Sequence, residues 1–147
     1  MNICIVSSCG GHLTEVMELK SVYENYDHFY IINKKISMPN DINGRVSFIT
    51  HSERDYKFFV NILEIYRIFK SNRPDVVIST GAGPAVPAAL VARYLFRSKV
   101  IYIETIASIV KPSITGRIMY KLAHKFYYQW KGLSKFFPKG CYGGPLI

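Results

Sequence analysis

Short runs of β-branched and aromatic residues alternate along this chain with longer segments whose apolar positions recur at helical spacing. Asn2 to Ser7 (NICIVS) reads as a buried strand and runs into the Gly-rich turn Ser8-Cys9-Gly10-Gly11-His12. From Leu13 to Tyr23 the positions Leu13, Val16 and Met17, with Leu19 or Lys20 next, predict a helix. His28 to Asn33 (HFYIIN) predicts a second strand, the segment 34–44 (KKISMPNDING) a loop, and Arg45 to Thr50 (RVSFIT) a third strand. Tyr56 to Lys70 has helical period with an unusually broad apolar face. Pro74 to Thr80 is a further strand punctuated by GAGP, and Ala85 to Phe96 a small-residue helix. Ser98 to Glu104 (SKVIYIE) reads as a strand, Ser113 to His124 as a helix with Ser113 at its N-cap, and Phe126 to Trp130 as a last short strand before a Gly/Pro-rich tail.

Strands that are apolar almost throughout, each followed by a helix, predict an α/β fold with a parallel, Rossmann-like sheet covered by helices on both faces. There is no internal repeat, low-complexity tract or linker, and 147 residues suit a single domain spanning 1–147.

Composition sharpens the picture in places. With 49% hydrophobic and 20% charged residues the chain can build a core, which excludes wholesale disorder. The net charge of +9 favours anionic partners: nucleic acid, phospholipid head groups or phosphorylated substrates. The 14% aromatic content suits a membrane interface, base stacking or simply a large core. No aromatic RNA-binding strand or GXXG loop is present, so nucleic acid is not the expected partner. Cys4, Cys9 and Cys141 are odd in number and form no CxxC pair, so neither a metal site nor a disulfide framework is expected and a reducing cytoplasm is. The chain opens on an apolar strand rather than a signal peptide, and no run reaches the roughly 18 apolar residues of a spanning helix. The expected location is cytoplasmic, peripheral on the inner face of the cell membrane.

Candidate chemistry lies at the Gly-rich corners. In open α/β sheets ligands bind outside the carboxyl ends of the strands. Ser8 to His12 occupies one such corner, Ser79 to Pro84 another, and Glu104-Thr105 ends the next strand. Glycines there let a backbone approach a ligand, and a helix N-terminus adds partial positive charge, which together favour a phosphate or pyrophosphate. Glycines also make plain tight turns. Neither corner is GxGxxG or a P-loop, so no nicotinamide or ATP cofactor is expected. His12, in the first helical turn, is placed to bind a phosphate or to take a proton from a hydroxyl. Glu104 is either a functional acid or a buried carboxylate holding a loop through backbone hydrogen bonds.

The turn SSCGGHLTE, the loop STGAGPAVPAALVA, the strand end IYIET and the segment SITGRIMYKLAHKFYYQW together resemble the accessory subunit of split lipid-linked oligosaccharide glycosyltransferases. That family includes the membrane-recruiting subunit of the eukaryotic dolichol-linked GlcNAc transferase and bacterial capsule and exopolysaccharide proteins of the PssD type. The tail YGGPLI is similar too, so the resemblance runs over almost the whole chain. It implies the N-terminal, acceptor-binding half of a GT-B fold divided over two polypeptides, with a donor-binding catalytic subunit as partner in a heterodimer. By similarity to the acceptor half of the peptidoglycan GlcNAc transferase MurG, Gly10, Gly11 and His12 would contact the acceptor diphosphate, Gly81, Ala82 and Gly83 would line the same cleft, and Glu104 would lie near the attacking sugar. Ser8 and Thr80, at the same two corners, are expected to bind the diphosphate with them. His12 and Glu104 would be the candidate bases. The first corner lacks the earlier glycines of the peptidoglycan enzyme. The eukaryotic relatives carry an N-terminal anchor; here peripheral attachment is expected.

The implied reaction is inverting transfer of a sugar from a nucleotide sugar to a polyprenyl-pyrophosphate-linked saccharide, and the alternative is a scaffold that only recruits the catalytic partner. Phe58, Phe59, Tyr66, Arg67 and Lys70 mark Tyr56 to Lys70 either as an interfacial helix on an anionic membrane surface or as an ordinary helix with a solvated rim. The tail from Gly132 to Ile147 is either a docking segment for the partner or folded back on its own domain.

Overall fold

The computed structural model describes residues 1–33, 42, 44–52 and 55–147. Strand β1 (Asn2–Ser8) shows why its sequence is apolar nearly throughout. Alternation sends Cys4 and Val6 into one core and Ile3 and Ile5 into the other, so both faces are buried. Around it lie β2 (Asp27–Asn33), β3 (Arg45–Ile49), β4 (Val76–Ser79), β5 (Lys99–Ile103), β6 (Lys125–Tyr128) and β7 (Cys141–Tyr142). They form one seven-stranded sheet in the order β3-β2-β1-β4-β5-β6-β7, and every pairing is parallel.

Helices α3 (Lys57–Asn72), α4 (Ala85–Leu90) and α5 (Ile114–Leu122) share one core, where Ile65, Phe69, Ala88, Ala89 and Met119 meet the strands. The alanines of α4 let helix and sheet approach closely, and Pro87 falls in the first turn, where its missing donor costs nothing. The opposite core holds Leu13, Val16 and Tyr23 from α1 (Gly11–Met17) and α2 (Lys20–Tyr23). Beside these short helices, Ile78, Ile101, Ile103 and Tyr127 face an apolar cavity of about 310 Å³, walled partly by Gly143, Gly144 and Leu146 of the tail.

The parallel α/β architecture is the one expected, and several boundaries differ. The helix predicted over Leu13 to Tyr23 is two, because the backbone at Leu19 (φ −87°, ψ 6°) leaves the helical range. The Tyr23 hydroxyl then turns back to the Val16 carbonyl at 3.5 Å, satisfying an end that a continuous helix would have closed itself. The helix predicted over Ala85 to Phe96 is α4 followed by a π-helical turn, Val91–Phe96, closed by left-handed Arg97 (φ 56°). Gly132 to Ile147 folds back on its own sheet. Cys141 and Tyr142 pair with Tyr127 and Tyr128, and the Leu146 amide donates to Gln129 Oε1 at 2.8 Å. The loop expected over 34–44 lies mostly outside the described residues.

Candidate functional site

Strand order reverses between β1 and β4, so their carboxyl ends diverge into a crevice, and both end in glycine corners. Gly10 sits at φ 107° and Gly81 at φ 126°, conformations that L side chains rarely adopt. Ala82 follows at φ 72°, strained backbone for a residue with a Cβ. The two corners are stitched together. Thr80 Oγ1 donates to the His12 carbonyl at 2.8 Å, and His12 Nδ1 lies 3.1 Å from the Thr80 carbonyl. A carbonyl only accepts, so Nδ1 carries the hydrogen and neutral His12 keeps its lone pair on Nε2. A Cβ on Gly81 would stand 2.9 Å from His12 Cε1, so the imidazole occupies the space that this glycine leaves.

The crevice is a cleft of about 670 Å³ whose lining includes Ser8, His12, Asn33, His51, Ala82 and Gly83. Phe58, Val86 and Ile118 form part of its apolar side. Asn33 is buried at the end of β2 and fully engaged: Oδ1 accepts from the Cys9 amide at 3.2 Å, which turns Nδ2 toward His51 Nδ1 at 2.7 Å. The stretch after β3 is tied to α3. Thr50 donates from its amide and hydroxyl to Glu64, and Ser52 Oγ donates to buried Asn61 at 2.5 Å. Gly83 packs against that stretch, since a Cβ there would meet the Ser52 carbonyl at 2.9 Å.

Beneath α5 lies a buried polar cluster. Glu104 is fully buried, and its Oε1 accepts from Ser113 Oγ at 2.7 Å, the Thr105 amide at 3.1 Å and Ser108 Oγ at 3.3 Å. Ser113 passes the link on by capping α5, its hydroxyl accepting from the Gly116 amide at 2.8 Å. Burial pushes the Glu104 carboxyl above its ordinary value, and these hydrogen bonds pull the other way. Glu15, on the inner side of α1, accepts at Oε1 from the Ile106 amide at 2.5 Å and Thr105 Oγ1 at 3.1 Å, and its Oε2 is 3.8 Å from His12 Nδ1. Burial also raises the Tyr102 hydroxyl, helped by the Glu104 carboxylate.

Ser8, His12, Ala82 and Gly83 thus line the cleft; Thr80 and Gly81 position His12, and Gly10 and Gly11 form the turn that presents it. Glu104 does not line the cleft; it anchors the loop between β5 and α5. Of the five residues marked for membrane contact, Phe59, Tyr66, Arg67 and Lys70 are exposed, whereas Phe58 is half-buried in the cleft wall. Asn33, His51 and Glu15 were not singled out from sequence. Asn33 ends the apolar strand β2 and His51 lies two residues beyond β3, positions that could have flagged them. Glu15 reads as an ordinary polar position of an amphipathic helix.

This geometry meets independent comparisons. Residues 47–146 match the family described as "Oligosaccharide biosynthesis protein Alg14 like". The chain belongs to the Alg14 family. The human UDP-N-acetylglucosamine transferase subunit ALG14 is 28% identical over 182 aligned positions, covering all of this chain and 83% of the relative. The Kluyveromyces lactis subunit of the same name is 35% identical over 89 positions, 56% of this chain and 38% of the relative. Among solved structures, Acinetobacter baumannii MurG superposes with a TM-score of 0.74 at 16% identity, over 89% of this chain and 42% of that one. UDP-N-acetylglucosamine 2-epimerase from Rickettsia bellii gives 0.76 at 8% identity, over 99% and 45%. These likenesses establish the fold, a Rossmann-like unit of the kind that makes up part of both solved structures, and the chain spans less than half the length of either. Among the described residues no helix is long and apolar enough to cross a membrane.

Proposed function

We propose that this chain is the acceptor-binding subunit of a two-component glycosyltransferase. The reaction moves a sugar from a nucleotide sugar, a UDP-sugar as the names of the relatives indicate, to a polyprenyl-pyrophosphate-linked saccharide in polysaccharide or lipid-linked oligosaccharide assembly. The observation that carries the reading is the junction of the two glycine corners at His12, in a cleft at the switch point of the sheet. Ser8, Gly10, Gly11 and the Thr80–Gly83 corner supply the surroundings of the diphosphate, where close backbone approach and the first amides of α1 favour an anion.

The acceptor hydroxyl attacks the anomeric carbon held by the partner. The new glycosidic bond forms as the bond from that carbon to the departing phosphate oxygen breaks, with inversion. The hydroxyl proton passes to His12 Nε2, and the nucleoside diphosphate leaves with the bonding pair. Of the two candidate bases His12 is preferred, because Glu104 is spent on holding the loop before α5. In this reading the donor-binding half is a separate catalytic subunit, which the relatives' designation as a transferase subunit supports. Phe59, Tyr66, Arg67 and Lys70 form the contact with an anionic leaflet, peripheral and on its cytoplasmic side.

Co-expression with a donor-binding partner and assay with UDP-sugars and a polyprenyl-pyrophosphate acceptor tests this. His12→Ala should leave the complex intact and lower transfer by at least a hundredfold, in the range of one lost general base. Unchanged transfer in that intact complex would make the chain a recruiting scaffold.

A further inference from the structure

The cleft does not end at the glycine corners. Val86 on α4 and Ile118 on α5 line both the cleft and a second groove of about 630 Å³ between the two helices. Leu90 and Leu122 extend the apolar floor, and Arg117 and Lys121 complete the lining. Helical period produces this arrangement. Val86 and Leu90 are one turn apart on α4, as are Ile118 and Leu122 on α5, and Arg117 and Lys121 form a parallel row beside the latter pair. Ile118 is 42% exposed and Ile114, which lines the cleft one turn earlier, is 53% exposed, so the apolar path is open to water. An apolar track with a cationic flank, opening into a polar cleft, fits a molecule that is anionic at one end and hydrocarbon beyond it.

We propose that the α4–α5 groove holds the isoprenoid units adjoining the diphosphate of the lipid acceptor. The head group lies in the cleft, the chain leaves over Val86 and Ile118, and Arg117 and Lys121 neutralise the phosphate nearest the chain. The proposal rests on the acceptor reading of the cleft. One helical turn separates the two apolar pairs, about 6 Å, enough for about one or two isoprene units before the chain passes on. The exposed stripe of α3, with Phe59, Leu63 and Tyr66, lines neither the cleft nor the groove and is a separate surface.

Titration of the full chain with inorganic pyrophosphate, geranyl diphosphate and farnesyl diphosphate, followed through the methyl resonances of Leu90 and Leu122 in the groove, tests the assignment. Farnesyl diphosphate should bind at least about tenfold more tightly than pyrophosphate, since burial of as few as two methylene groups gives a gain of that order. It should shift the groove methyls where pyrophosphate shifts only the cleft. Leu122→Asn and Leu90→Asn, at positions that line the groove and not the cleft, should each erase most of that chain-dependent gain and leave pyrophosphate binding in place. Lys121→Glu should weaken the prenyl diphosphates at least threefold. Equal affinity for farnesyl diphosphate and pyrophosphate, or a gain that survives Leu122→Asn and Leu90→Asn together, overturns the groove and leaves the acceptor cleft standing. If none of the three diphosphates binds, the acceptor reading fails and the groove assignment with it.

Discussion

A methyl group on Gly81 would stand 2.9 Å from His12 Cε1, at a backbone angle of φ 126° that alanine resists. Gly81→Ala should therefore cost about 1–3 kcal/mol of stability in urea denaturation. It should also push the imidazole off the Thr80 carbonyl and lower transfer by the reconstituted complex at least tenfold. Gly116 is constrained more severely, because a Cβ there would run into the Glu104 carboxyl group. Helix α5 reaches its N-cap only because this position has no side chain. Glu104→Gln keeps the Oε1 acceptor for Ser108, Ser113 and the Thr105 amide, so transfer should survive and stability at pH 7 should change by no more than about 1 kcal/mol. Loss of transfer in folded Glu104→Gln would put the carboxyl in the chemistry. The pH dependence has a definite sign. Burial raises this carboxyl above 4.5, so the folded state holds its proton more tightly than the unfolded chain. Its contribution is fully present below pH 4.5 and fades as pH rises through the folded value, a dependence that Glu104→Gln should lack.

At the scale of elements, α3 is apolar on two sides for two reasons. Ile65 and Phe69 bury into the sheet core, while Phe59 and Leu63 remain 70% and 59% exposed. The double change Phe59→Ser with Leu63→Ser should leave stability within about 1 kcal/mol. It should reduce sedimentation with anionic phosphatidylserine vesicles severalfold; unchanged sedimentation would remove α3 from the membrane contact. The end of α5 is pinned differently. His124 Nδ1 accepts from the Val100 amide at 3.0 Å while its own amide donates to the Val100 carbonyl at 2.8 Å, tying the start of β6 to β5. Burial, with Arg93 and Lys99 nearby, lowers its pKa from 6.5. A histidine held neutral in this way contributes stability that is present above pH 6.5 and lost as pH falls through the folded value. Urea midpoints should therefore decline between pH 7 and 5 in the wild type, and less so in His124→Asn, whose amide oxygen can accept the same bond.

At the scale of the whole molecule, the proposed function makes this parallel sheet with its switch-point cleft one wall of a two-sided site. The purified chain should bind prenyl diphosphates yet transfer no sugar until a donor-binding partner is added, as a radiolabelled UDP-sugar assay would record. The amino-acid sequence alone determined the number and order of the early strands, the glycine corners that end β1 and β4, and the Ser113 cap of α5. These follow from short-range periodicity and backbone freedom, which any stretch of chain carries with it. It did not determine the helix break at Leu19, which depends on where Tyr23 finds room to bury. Nor did it distinguish Phe58, in the cleft wall, from its exposed neighbour Phe59, since the helix is apolar on both sides and only packing chooses between them. The roles of Glu15, Asn33 and Glu104 were also settled by tertiary structure. Glu15 and Asn33 depend on partners distant in sequence, Thr105 and Ile106 for the first and His51 for the second, while Glu104 depends on how its own loop folds back to bring Ser108 and Ser113 to it. Sheet order brings such pairs together, and no local pattern encodes the meeting of His12 with Thr80 across 68 positions of chain.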